Sequence, residues 1–223
     1  MICKSELSLM RRLLNVALFA CLLSAQTPEP RPGTLRHLAA KAKQLGHITI
    51  EVNAPTVLTA EIDSLADALR EHSVLLVRLR DSFTATDGQS DIVTYYRFRL
   101  LQILYRGVSD PSLQPRAGIF DDVQSDEVVV PVLGGTAVVD GVTIKMKSHV
   151  VGFETGPDYL IFVTCNPEKH VAELTIGNSG LFQVGPSSEL KPLGNPDEPL
   201  VKDIRLSYLN SLRLLTERLH AGK

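Results

Sequence analysis

Tryptophan is absent, and aromatic residues make up only 5% of the chain. A core must therefore rest on valine, leucine and isoleucine, which favours β-structure with few stacking platforms. Cysteine is almost as scarce. Of three cysteines, Cys3 and Cys21 fall near the start and only Cys165 lies in the main body. That excludes a disulfide framework, so the main body must fold by its core. No charge of one sign predominates: the net charge of −2 gives no global attraction to nucleic acid. No apolar run is long enough for a permanent membrane helix. The chain also lacks Gly-x-Ser-x-Gly, His-Glu-x-x-His, Cys-x-x-Cys and a phosphate loop with Gly-Lys-Ser/Thr.

What is present first is a leader. Met10-Arg11-Arg12 precedes an apolar run from Leu13 to Leu23. The run holds roughly eleven residues, within the ~7–15 of a secretory h-region and short of the ~18–20 of a spanning helix. Cations before an apolar core are the order expected of a signal peptide. Ser24-Ala25 then leads into Gln26-Thr27-Pro28, where proline stops the helix. Cleavage is expected after Ala25. Residues 1–9 contain Glu6 and fit an n-region badly, which places the translation start at Met10. Leu18-Phe19-Ala20-Cys21 also resembles a lipobox, although Phe19, Leu22 and Leu23 depart from that pattern. Cys21 is thus either discarded with the leader or lipidated as the first mature residue. Both readings give an exported protein, periplasmic or extracellular, and only the second tethers it to a membrane.

The remaining chain divides into a proline-rich spacer (26–33), a helical and strand extension (34–72), a β-region (73–191), and a linker with a closing helix (192–223). Thr34 caps a short amphipathic helix that ends at Gly46, and His47 to Val52 alternates like a strand. Ser64 and Asp67 form a capping box for a second helix. Val74 to Arg80 and Ile92 to Tyr105 read as strands around a polar turn, Thr84 to Asp91, that contains Asp87-Gly88. Val128 to Leu133 contains Pro131, which implies an edge or a bulge. Gly134-Gly135 permits a sharp bend. Asp140-Gly141 marks a type I′ hairpin turn. Tyr159 to Cys165 pairs with Val171 to Ile176, Leu181 to Val184 is short, and Leu200 to Leu219 reads as one amphipathic helix. The expected fold is mainly β with flanking helices (α+β), built as a small antiparallel OB-like barrel.

The run Thr94 to Leu100, then Ile103 to Gly107, a Val-rich strand ending in Gly134-Gly135, and Gly152 to Val163 together carry a resemblance. Over about residues 70–185 the chain resembles uncharacterised bacterial exported β-proteins. Those have an OB-like barrel similar to that of tissue inhibitors of metalloproteinases. The true inhibitors chelate a protease zinc through an N-terminal, disulfide-linked cysteine. Nothing here matches that feature, so inhibition does not carry over.

Chemistry-bearing residues are few. His37, His47, His72, His149, His170 and His220 show no metal spacing. Asp121-Asp122 and Asp126-Glu127 could offer oxygen ligands to calcium, but lack the Asp-x-Asp-x-Gly pattern. Cys165 reads as a small apolar residue in a strand, with a reactive thiol as the alternative. Neither a metal nor a cofactor is implied, and no catalytic residue is assigned. One surface stands out. Arg78 and Arg80 share an outer face with Tyr95, Arg97 and Arg99 on the next strand. A turn centred on Asp87-Gly88 would set Arg78 opposite Arg97. Opposed like charges must be offset by acidic neighbours or by an anionic ligand. Arg78, Tyr95, Arg97 and Arg99 are therefore the candidate site, facing an anionic envelope polymer or a carboxylate-bearing protein. The functional expectation is a non-enzymatic binding or structural module, with a secreted hydrolase as the alternative. N-terminal sequencing of the precursor tests the start: the first residue is expected to be Met10, and any peptide from residues 1–9 overturns it.

Overall fold

Val, Ile, Leu and Phe alternate through residues 73–105, and that alternation becomes the longest ladder of the molecule. The computed structural model describes residues 30–56, 59, 62–86, 89–107, 126–166 and 171–221. The expected leader with Cys21, Asp121-Asp122 and His170 lie outside them. The elements in chain order are α1 (Leu35–Gln44), β1 (Thr49–Asn53), α2 (Leu65–Glu71), β2 (Ser73–Thr86), β3 (Ile92–Tyr105), β4 (Glu127–Leu133), β5 (Gly135–Val139) and β6 (Val142–Lys147). They continue with β7 (Asp158–Asn166), β8 (Val171–Glu173), β9 (Leu181–Val184), β10 (Leu190–Pro192), α3 (Pro199–Leu206) and α4 (Leu212–Ala221). The class is mainly β with helices, as the residue pattern predicts.

A seven-stranded sheet runs β10-β9-β7-β2-β3-β4, with β8 attached to β7. A three-stranded sheet runs β1-β6-β5. The sheets are not closed into a barrel, which departs from the sequence expectation. The large sheet curves until β8 lies beside β4, yet no ladder joins those strands among the described residues. Pro131 sits on β4, at the end of the sheet path, where its missing N–H costs no ladder bond.

Both faces of the central strands are covered. One core fills the concave side, with Leu75, Val77 and Leu79 of β2 meeting Phe98, Val130 and Ile161. On the other side Val74, Leu104 and Phe162 pack under α2, α3 and α4 through Leu65, Ile204, Leu215 and Leu219. A third core joins α1 to the small sheet through Leu35, Ala39, Ile144 and Met146. Within the stretch expected as an extension, β1 joins that sheet by pairing in parallel with β6.

Several local expectations are met. Ser64 Oγ accepts from Asp67 N at 3.2 Å and donates to Asp67 Oδ2 at 2.6 Å, capping α2. Asp140 and Gly141 both take positive φ, 48° and 79°, as a type I′ turn requires. Gly134 and Gly135, at φ 121° and 131°, carry the chain from the large sheet to the small one. A Cβ on Gly135 would meet Thr94 Oγ1 at 2.5 Å, so only glycine fits there.

Other expectations need correction. β2 continues to Thr86, through much of the stretch read as a turn. Thr84 and Thr86 are strand formers, and Phe83 stacks on Tyr95 at 5.2 Å, which extends the ribbon. The second strand of the β7 hairpin stops at Glu173 instead of reaching Ile176. The closing helix is two helices. Leu209 N donates to Ile204 O at 2.9 Å and Tyr208 N to Arg205 O at 3.1 Å, a Schellman stop after α3. Tyr208 occupies the left-handed position at φ 58°, where glycine is usual.

His72 closes α2 and is only 1% exposed. Its Nδ1 lies 3.0 Å from Ala68 O and its Nε2 2.7 Å from Thr175 Oγ1. Burial pushes its pKa down, against the opposing pull of Ala68 O and the Glu71 charge. The unfolded chain then takes up a proton in acid that the folded chain refuses, so stability falls as pH drops through the ordinary histidine range. Urea midpoints are expected to fall between neutral and mildly acidic pH, and His72→Gln to flatten that part of the profile.

Candidate functional site

The arginines of the β2–β3 ribbon meet in a register that the turn position alone does not give. The ladder pairs Thr86 with Ile92 and Asp81 with Arg97, then shifts between Leu79 and Asp81. Arg80 has no Cα partner on β3 and is the extra residue of a bulge. Beyond it Arg78 stands opposite Arg99, where the sequence reading placed Arg97. Asp87-Gly88 lie outside the described residues, but the Thr86–Ile92 pair already sets a register other than that of a turn centred on them, and the bulge moves it again. All four predicted residues share the outer face: Arg99 opposite Arg78, Arg97 opposite Asp81, and Tyr95 opposite Phe83.

Each arginine has a carboxylate. Arg78 Nε donates to Asp158 Oδ1 of β7 at 2.6 Å, which raises the Arg78 pKa further. Arg99 Nε faces Asp126 Oδ2 at 3.5 Å. Arg97 Nη2 donates to Glu127 Oε2 at 3.3 Å, and its Nε lies 3.6 Å from Asp81 Oδ1. Arg80 Nη1 bonds Glu127 Oε1. The bulge is what lets Arg80 reach across β3 to β4.

Burial separates these residues into two roles. Glu127 and Arg97 have side chains only 2% and 9% exposed and form the floor of the face. Arg78 and Arg99 are 52% and 69% exposed. Arg78, Leu79, Arg80, Arg99, Asp126 and Glu127 line a cleft of about 480 Å³. Its lining holds hydrogen-bond donors and carboxylates but no nucleophile paired with a base. It can grip a charged ligand through its guanidinium donors and its carboxylates.

The remaining candidates do not converge. Among the described residues no group of three or more His, Cys, Asp or Glu side chains could hold a metal. Of the four carboxylates in the calcium reading, Asp121 and Asp122 lie outside the described residues, Glu127 is paired with Arg80 and Arg97, and Asp126 faces Arg99. His149 Nε2 lies 3.0 Å from Ala54 O, tying a loop to the end of β1. Cys165 forms no disulfide and is half-buried on β7. No helix among the described residues is long and apolar enough to cross a membrane.

Removing one partner from a buried pair leaves the other charge uncompensated, whereas exposed pairs contribute little. Glu127→Gln is expected to lower unfolding stability by about 3 kcal/mol. Asp126→Asn should change it by about 1 kcal/mol or less. Denaturant midpoints of both variants check the contrast. Comparison with protein-family models, curated proteins and solved structures finds no match to this chain.

Proposed function

We propose that this chain is an exported, non-enzymatic binding or structural module of the cell envelope, and that the arginine cleft is its contact face. The observation that carries the reading is the Arg78–Arg99 pair. Two half-exposed guanidinium groups stand directly opposite each other, and each approaches a protein carboxylate through its Nε. Their terminal nitrogens can meet an oxyanion in the forked geometry that arginine favours.

The leader with Met10-Arg11-Arg12 and the shortage of cysteine support export of a domain that folds by its core. Export and the net charge of −2 speak against nucleic acid as the partner. The OB-like reading draws support from five strands, β4, β3, β2, β7 and β8, that curve round one shared core. The competing reading, a secreted hydrolase, would need His149 or His170 beside a carboxylate in a polar pocket. His170 lies outside the described residues, and His149 faces a backbone carbonyl.

Two measurements test the proposal. Mass spectrometry of the exported chain is expected to find a mature N-terminus after Ala25, or a lipidated Cys21; an uncleaved leader overturns export. The mature chain is expected to be retained on a carboxylated matrix at low salt. Retention should disappear in the Arg78→Gln/Arg99→Gln double variant, and unchanged retention would refute the contact face.

A further inference from the structure

Among the described residues the arginine face is electrically balanced. Four arginines (Arg78, Arg80, Arg97 and Arg99) meet four carboxylates (Asp81, Asp126, Glu127 and Asp158). Such a face has no excess charge to draw in a polyanion from a distance, where attraction depends on summed positive potential, although a carboxylate can still be held at contact. What it offers is local geometry. Opposed side chains of an antiparallel pair start about 5 Å apart at Cβ. One carboxylate can therefore meet the terminal nitrogens of both Arg78 and Arg99. Beside them Asp126 is 50% exposed and held only at 3.5 Å by Arg99, so it can accept a cation without unseating a buried pair. The floor cannot rearrange so easily. Glu127 is clamped by Arg80 and Arg97 from two strands.

We infer that the cleft receives a mixed-charge peptide segment of a protein partner: one carboxylate on the Arg78–Arg99 forks and a neighbouring cation on Asp126. Peptides carry both signs on adjacent side chains, and sulfated or phosphorylated polymers do not. This inference rests on the cleft being a contact face, as proposed above, and specifies what the face selects.

The test uses the mature chain with two soluble probes of equal length, an alternating Glu-Lys peptide and a polyglutamate, titrated at low salt. The Glu-Lys peptide is expected to bind at least about tenfold more tightly than polyglutamate. Arg78→Gln/Arg99→Gln should weaken it by about tenfold or more, the loss typical of charge-assisted bonds. Arg78→Lys/Arg99→Lys keeps the charge but removes the forks, and should weaken it nearly as much. Lys145→Gln/Lys147→Gln, on the exposed face of β6, removes equal charge elsewhere and should leave binding unchanged. If polyglutamate binds as well or better and the lysine variant retains it, the mixed-charge selection is overturned while an anion-binding face stands. If neither probe binds the native chain, both readings fail.

Discussion

One antiparallel ladder, β2 against β3, carries the weight of this structure. Its fourteen-residue strands present one face to the concave core and the other to the helices, so neither core exists without it. Its distal end also anchors the small sheet. Gly135 passes close to Thr84 and Thr94, and Gly134 N donates to Ile92 O at 2.8 Å. Even α1 is tied to it, because Leu35 N donates to Gln89 O at 2.7 Å beside the ribbon turn. Long antiparallel strands that bury both faces must be apolar on both faces. The sequence meets this near Val74 to Leu79 and departs from it where the arginines begin.

That departure is managed by a bulge. Without it, strict alternation would keep Arg80 in line with Arg78 on the outer face, opposite a β3 residue. With Arg80 unpaired, its guanidinium crosses to Glu127 on β4, and Asp81 takes the place opposite Arg97. A carboxylate as buried as Glu127 has a large desolvation cost, and two arginines are needed to offset it. The like-charge pair Arg78–Arg99 persists because each member leans outward to its own aspartate, one on β7 and one just before β4. The face is therefore held by four strands, and its geometry follows from the register of the whole sheet.

Legibility in the sequence followed the range of the interaction. Features set by neighbours a few residues away could be read directly: the Ser64 cap, the Asp140-Gly141 turn, the Gly134-Gly135 bend and the edge position of Pro131. Features set by distant partners could not. The parallel pairing of β1 with β6 joins residues almost a hundred positions apart and has no local signal. The break after α3 was hidden because its left-handed residue is Tyr208 where a glycine would have announced it. At the site, the type and face of Arg78, Tyr95, Arg97 and Arg99 were legible from alternation. Their pairing was not, since one bulged residue moves Arg78 from one partner to another.

Acidic neighbours were expected to offset the arginines, but which carboxylates they are was not legible, and their identity changes what the face means. Counted along the strands, the arginines form a basic stripe. Asp158 and Asp126 come from segments that lie far off in sequence or sit at a loop end, and the carboxylates cancel the stripe without covering it. Long-range attraction depends on the sum of charges, whereas recognition at contact depends on where the donors and acceptors stand. A balanced but fixed arrangement gives up the first and keeps the second. Arg97 and Glu127 are buried and act as the frame, while Arg78, Arg99 and Asp126 remain half-exposed. If the face is the contact surface proposed for it, its selectivity would come from matching the order of charges, not from their total.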